Sequence, residues 1–271
     1  YSQLGGPDAS GTKDMTTRVS FLVLEAIHRM KIPANVAVRV WDGLDEDLLD
    51  LAVKYLFEDG INSPLFIGDK GLSEGFAHNG YPLELARQRV KVGCHWCALP
   101  GREYTLNDVV KINFVKVFDV ALREMTADES AENSTDNLWR RFEDHLRCAV
   151  RATAAGIDFH LEHQHKNFPE LFLDLFCHGP VENGLDALQP GGVEFLNMCI
   201  DGSGLATVAD SFAAVEQRVE REGKLSWPEL IEVLDRDFDG CEDTRKMLNS
   251  TPHYGSGGCR ADAFARRLSE T

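Results

Sequence analysis

Two cysteines, Cys94 and Cys97 in "VKVGCHWCALPGREY", are the residues whose type and spacing most directly allow chemistry. A zinc site needs four ligands, and the sequence offers neither a second C-x-x-C nor an H-x-x-x-H at a suitable distance. A redox pair lies at a helix N-terminus, but Pro100 and Gly101 separate Cys97 from the next predicted helix, at Thr105. The third alternative is a single reactive sulfur, Cys94, although a lone cysteine is more often a small apolar packing residue.

Two other groups of residues have types that occur in functional sites. His160 and His163 are spaced so that they share one helix face, with His165 on another side. Two histidines do not complete a metal site, so we interpret them as a solvated helix end. Arg39 lies inside a strand pattern, where it covers a sheet face, pairs with a carboxylate or reaches into a site.

The elements that position Cys94 alternate between strand and helix. "NVAVRVW", "SPLFIG" and "QRVKVGC" are predicted strands, and a helix from about Asp45 to Gly60 separates the first two. This alternation predicts a parallel sheet, open or closed into a barrel, with chemistry at the carboxyl ends of its strands. Cys94 falls at such an end. The helix predicted before these strands has an apolar face formed by Val19, Leu22, Val23, Ala26, Ile27 and Met30.

The second half of the chain is predicted to be mainly helical. "TLNDVVKINFVKVFDVALREM" is predicted as a largely buried helix with Thr105 as its N-cap, and a long helix follows over Leu138 to Leu161. "VEFLNMCI" is a predicted strand leading into another helix, and "SWPE" at Ser226 is a capping box that opens one more.

Composition bounds the class of protein. The 271 residues allow one domain or two, and the apolar fraction of 43% with 27% charged residues is that of a folded globular chain. A net charge of −16 argues against nucleic acid and anionic membranes as partners. Seven cysteines, an odd number, predict reduced thiols. No apolar run of membrane-spanning length and no signal-peptide pattern occurs, so we expect a cytoplasmic protein.

The order of motifs carries a family resemblance. "LGGPDASGTKDMTTRVSFLVLEAI", the "VAVRVW" strand, "GC" after a strand, "GGVEFLNMCIDGSGLATVADSF", "KLSWPELIEVLDRDFDG" and "LNSTPHYGSGGCRADAFA" together resemble the glycyl radical enzymes, the pyruvate formate-lyase-like family. The resemblance implies a ten-stranded α/β barrel in which a Cys loop, here Gly93 and Cys94, meets a glycine loop. It implies no directly bound cofactor: an S-adenosylmethionine-dependent activating enzyme places a radical on the glycine, and Cys94 becomes a thiyl.

The glycine-loop motif of this family is absent from the sequence. We therefore expect residues 1–271 to be an internal part of the barrel domain, without its N-terminal part and its glycine-radical domain, and to be inactive alone. The resemblance implies an anaerobic organism. We also expect the full-length subunit to form a homodimer, with small accessory subunits as a further partner class.

Trp96 points to the subfamily. Dehydratases and decarboxylases of the family usually read C-V-E, with the Glu as acid or base. "GCHW", "LPGREYTLNDVVKINFVKVFDVA" and "HGPVENGLD" look instead like the alkylsuccinate synthases, which add an n-alkane to fumarate. By this resemblance Cys94 is the thiyl site, Arg102 and His95 are candidate fumarate ligands, and Trp96 is a candidate wall of the alkane site. The alternative partner for Arg102 is Glu103 or Asp108.

Three alternatives to alkane addition stay open. One is a benzylsuccinate-synthase-like enzyme that adds an alkylbenzene to fumarate, and another is a glycyl radical lyase with an acid or base supplied from elsewhere. The third is a non-catalytic C-x-x-C metal or redox module.

Overall fold

The computed structural model describes residues 2–93 and 96–271. The strands of this described part are β1 (Ser2–Leu4), β2 (Val36–Val40), β3 (Leu65–Gly68), β4 (Val90–Val92), β5 (Trp96–Ala98), β6 (Glu103–Asn113) and β7 (Phe195–Ser203). Its helices are α1 (Arg18–Met30), α2 (Glu46–Asp59), α3 (Asp69–His78), α4 (Leu83–Arg87), α5 (Phe114–Ala127), α6 (Thr135–Asn167), α7 (Pro180–Asn183), α8 (Leu205–Ala214), α9 (Trp227–Asp235), α10 (Glu242–Asn249) and α11 (Arg260–Glu270). A 3₁₀ turn covers Leu173–Leu175, and α8 continues as a π-helical segment, Val215–Arg221.

The chain divides into two compact units. Unit 1 comprises the described residues of 1–107 and 161–198, and unit 2 comprises 108–160 and 199–271. In unit 1, β1, β2 and β3 form a parallel sheet in that order, with Val38 beside Leu4 and Phe66. The β-branched strand β2 lies at its centre and is buried along most of its length, as expected for the middle strand of a parallel sheet.

The predicted limits of α2 are confirmed. Asp45 caps α2 by accepting a hydrogen bond from the Leu48 N–H at 3.1 Å, and Gly60 ends the helix in the left-handed conformation that glycine adopts freely. The apolar face predicted for α1 is only partly right. Ile27 is buried, but Val19 is 63% exposed, because α1 turns its Leu24 side towards the core of unit 1.

Two predicted elements differ in the structure. Strand β4 pairs antiparallel with β5 rather than joining the parallel sheet, so the segment before Cys94 is one arm of a hairpin. The stretch from Thr105 to Asn113 belongs to strand β6, and helix α5 begins only at Phe114, capped by Asn113. The helix prediction was wrong there because a run dense in Val and Ile fits the apolar spacing of a helix as well as that of a strand. Pairing with β7 selects the strand.

Unit 2 is built on an aromatic core. Phe212 of α8 is fully buried, and its ring centroid lies 4.9 Å from those of Phe118 and Trp139 and 5.2 Å from that of Phe264. These rings come from α5, α6, α8 and α11, so one cluster holds four helices together. The predicted long helix is confirmed as α6, and Ser226 accepts from the Glu229 N–H to cap α9 as predicted.

Candidate functional site: the cysteine hairpin

The candidate site is the hairpin formed by β4 and β5 in unit 1. Val92 pairs with Trp96 and Lys91 pairs with Cys97 across its strands. Gly93, the last described residue before the turn, has a φ of +56°, a left-handed value that favours glycine. Cys94 and His95 lie outside the described residues, so the roles predicted for them remain predictions. Trp96 is half-buried at the start of β5.

Cys97 occupies a packing position. It is 9% exposed on β5, in a small cluster with Ala37 and Ile67 of the parallel sheet. Burial raises the pKa of the Cys97 thiol, which disfavours the reactive thiolate. Cys97 is therefore a packing residue of the hairpin.

A buried ion pair lies at the base of the hairpin. Arg89, directly before β4, and Glu103, the first residue of β6, have side chains only 1% exposed, and Arg89 Nη1 lies 2.9 Å from Glu103 Oε2. The same Nη1 donates to the Cys97 carbonyl at 3.1 Å. Glu103 Oε2 also accepts from the Leu99 N–H at 2.9 Å. The hydrogen bonds of this pair thus connect the ends of β4, β5 and β6.

Further contacts complete the surroundings of this pair. Asn197 of β7 donates to Glu103 Oε1. The Arg89 guanidinium lies 3.7 Å from the ring centroid of Phe76 and 4.4 Å from that of Tyr81. Its Nε and Nη2 have no hydrogen-bond acceptor among the described residues. The electron-rich faces of the two rings instead offset part of the cost of burying these groups.

Two more buried cations, Arg39 and Lys91, form hydrogen bonds in and just before β4. Arg39 is 2% exposed; it donates to Asp69 at 2.7 Å and to the carbonyls of Arg87 and Arg89 at 2.9 and 2.8 Å. Of the two interpretations of Arg39, pairing with a carboxylate is the one observed. Lys91 of β4 is 3% exposed and donates to the Asn35 carbonyl at 3.1 Å.

Arg102 is bound by a carboxylate that the sequence did not indicate. Its Nε and Nη2 donate to the two oxygens of Glu194 at 2.6 and 2.7 Å, which forms a bidentate pair. The side chains of Arg102 and Glu194 are 38% and 43% exposed. Hydrogen bonding to Glu194 raises the pKa of Arg102. Of the alternative partners expected for Arg102, Glu103 is bound by Arg89 instead, and the side chain of Asp108 lies outside the described ones. The segment before β7 brings Glu194 to Arg102.

Sequence reasoning missed the buried charges Arg89, Lys91 and Glu103. A signal was present: Lys91 stands between Val90 and Val92, so a charge occupies one face of a short apolar strand. In a strand, alternate residues face opposite sides, so this charge had to be either solvated or paired inside.

Within residues 2–93 and 96–271, no group of three or more His, Cys, Asp or Glu residues is arranged to hold a metal ion. Cys97, Cys148, Cys177, Cys241 and Cys259 are free thiols, and His160, His163 and His165 all lie on α6. No helix in these two described ranges is both long and apolar enough to cross a membrane.

Comparison with known proteins identifies the family. The family model "Pyruvate formate lyase-like" matches residues 2–271. The chain therefore belongs to the pyruvate formate lyase-like family of glycyl radical enzymes, and it forms part of their α/β barrel, as the resemblance of its motifs implied.

Individual relatives are distant. The chain is 28% identical to an isethionate sulfite-lyase of Desulfovibrio desulfuricans, and the match covers 98% of the chain and 34% of the relative. It is 26% identical to a (2S)-3-sulfopropanediol dehydratase of Klebsiella oxytoca, over 98% of the chain and 34% of the relative. The chain thus spans about a third of the length of these curated relatives.

A solved structure supports the fold. The B12-independent glycerol dehydratase of Clostridium butyricum, in its glycerol-bound form, superposes with a TM-score of 0.86 at 24% identity. The match covers 99% of this chain and 35% of that one.

Proposed function

We propose that this chain is part of a glycyl radical enzyme that adds an n-alkane to fumarate to give an alkylsuccinate, with Cys94 as the radical-carrying sulfur. The observation that carries the proposal is Trp96, which stands two residues after Cys94, where dehydratases and decarboxylases of the family usually carry a glutamate. An indole has no proton to exchange at neutral pH, and alkane addition needs no acid or base at the radical carbon.

The structure of the hairpin supports this interpretation. Glu103 is the one acidic residue in the sequence from Val90 to Glu103, and its carboxylate is enclosed by Arg89, the Leu99 N–H and Asn197. A carboxylate held in this way is not available to replace the missing glutamate. Across the hairpin from Trp96 lies Val92, so the pair next to the loop is apolar.

The reaction balances without a further redox partner. The Cys94 thiyl takes a hydrogen atom from the alkane, which leaves an alkyl radical and a thiol. The alkyl radical adds to the double bond of fumarate, forming a carbon–carbon bond and a radical on the adjacent carbon. That carbon takes the hydrogen atom back from the thiol, which restores the thiyl. The first thiyl forms when the glycyl radical, on a glycine outside this chain and installed by an S-adenosylmethionine-dependent activating enzyme, takes the hydrogen atom of the Cys94 thiol.

For the fumarate carboxylates we propose Arg102 and His95. Arg102 can bind a carboxylate bidentately, and its present partner Glu194 shows that geometry. Glu194 would have to release the guanidinium, so Arg102→Gln should raise the KM for fumarate while Glu194→Gln should lower it. An unchanged fumarate KM in both variants would remove Arg102 from the site.

The same proposal includes a cytoplasmic location in an anaerobic organism, a homodimer of the full-length subunit and accessory subunits. The decisive test of the activity uses the longer protein that joins this chain to a glycine loop, activated without oxygen. With an n-alkane and fumarate it should form a product whose mass is their sum, and Cys94→Ala should abolish the product. Trp96→Phe should keep activity and Trp96→Glu should lose it.

A second candidate function is a lyase or dehydratase reaction, which the similarity to isethionate sulfite-lyase and sulfopropanediol dehydratase favours. Isethionate, sulfopropanediol, glycerol and toluene with fumarate should be offered in parallel. Sulfite or aldehyde release without alkylsuccinate formation would replace the first proposal with this one, and product from toluene alone would indicate an alkylbenzene substrate.

A further inference from the structure

We propose that the buried pair of Arg89 and Glu103 is a positioning device that sets the orientation of the Cys94 hairpin; this rests on the proposed role of Cys94 as the reactive sulfur. In short, the pair joins the base of both arms of the hairpin to the next strand, and its loss should displace the sulfur while leaving the fold in place.

The contacts of the pair are distributed for this purpose. Arg89 precedes β4, and its Nη1 reaches the Cys97 carbonyl on the opposite arm, at 3.1 Å, as well as Glu103 at 3.0 Å. Glu103 in turn accepts from the Leu99 N–H, just after β5, at 2.9 Å. Both arms are therefore tied by directional bonds to one carboxylate at the start of β6.

The surroundings leave the pair little freedom. Both side chains are 1% exposed, and the guanidinium is held against Phe76 and Tyr81. Asn197 fixes the second carboxylate oxygen from β7. Replacing a buried ion pair by apolar residues of the same size often costs little stability, so the role in geometry is the hypothesis that the variants below test. A change in geometry at Cys94 without a loss of stability would therefore indicate a positioning role and not a merely structural one.

The test compares single and double variants of the longer protein. Arg89→Met or Glu103→Leu alone leaves a buried charge without its partner and should lower the melting temperature. The double variant Arg89→Met/Glu103→Leu should recover most of that loss. If the pair positions the hairpin, the double variant should still react differently at Cys94 from the wild type, in the rate of alkylation of the unactivated protein measured by mass spectrometry.

Turnover gives the second readout. After activation, the double variant should reach the wild-type glycyl radical content by electron paramagnetic resonance yet lose about a hundredfold in kcat, because a displacement of about 1 Å at a reacting atom has that effect. The control is Arg260→Met/Glu216→Leu, which removes a more exposed ion pair in unit 2, where Arg260 Nε lies 2.6 Å from Glu216 and the two side chains are 53% and 9% exposed. It should leave the Cys94 alkylation rate unchanged.

The outcomes separate the two proposals. A double variant with wild-type stability, wild-type Cys94 reactivity and wild-type kcat would overturn the positioning role. If the double variant does not fold, Arg89→Lys, which keeps the charge but cannot bond the Cys97 carbonyl and Glu103 in the same way, should show the same change in Cys94 reactivity, and a wild-type rate would again overturn it. Absence of alkylsuccinate from the wild type would refute the proposed function, while the alkylation rates would still decide the positioning role.

Discussion

Removal of the Arg39 guanidinium is the perturbation whose cost the structure defines most fully. The Arg39 and Asp69 side chains are 2% and 11% exposed, so solvent screens their pair very little. Arg39→Met would leave the Asp69 carboxylate buried without its cation, and the carbonyls of Arg87 and Arg89 without their donor. Breaking a buried pair by removing one partner costs about 3–5 kcal/mol of unfolding free energy.

The assay must resolve the two units, since they need not unfold together. Native-state hydrogen exchange of peptides from β2 and β3 should show the loss of about 3–5 kcal/mol, with peptides of unit 2 as the internal reference. Arg39→Met/Asp69→Leu should regain most of the loss. A loss below about 1 kcal/mol for the single variant, the range of an exposed ion pair, would refute the reasoning.

Three further predictions concern the core, the hairpin and a titrating pair. Phe212→Ala should lower the unfolding free energy of unit 2 by about 3–5 kcal/mol in urea, while Phe57→Ala, at an 81% exposed ring, should change stability by less than about 0.5 kcal/mol. Gly93→Ala should destabilise the hairpin by about 1–2 kcal/mol in hydrogen exchange, because Gly93 has a φ of +56°. Hydrogen bonding to Asp210 raises the pKa of His253 above 6.5. The contribution of this pair to the stability of the fold is therefore complete below pH 6.5 and is lost as the pH rises through the folded pKa. NMR titration of His253 should show the raised pKa, and Asp210→Asn should abolish the shift.

Local sequence signals account for much of the fold. Asp45 and Gly60 marked the ends of α2, and the capping box at Ser226 marked the start of α9. These signals are reliable because each depends on hydrogen bonds within one turn of the chain. The order of motifs indicated the family, which the match over residues 2–271 confirms.

The β6 segment and the candidate site needed the tertiary structure. Residues from Thr105 to Asn113 satisfy helix and strand patterns alike, and pairing with β7 decides between them. The partner of Arg102 is Glu194, 92 residues away, and local spacing favoured nearer carboxylates. A long-range ion pair depends on where two distant segments are placed, which no local pattern records.

The sequence by itself determined that Cys94 follows a glycine and precedes Trp96 by two positions, and this spacing is the basis of the proposed chemistry. Only the tertiary structure showed that the strands around Cys94 form an antiparallel hairpin whose base is held by Arg89 and Glu103. The physical reason is that side-chain type and local spacing are properties of the chain. Burial, which strengthens the hydrogen bonds of an ion pair, exists only once distant segments have excluded water.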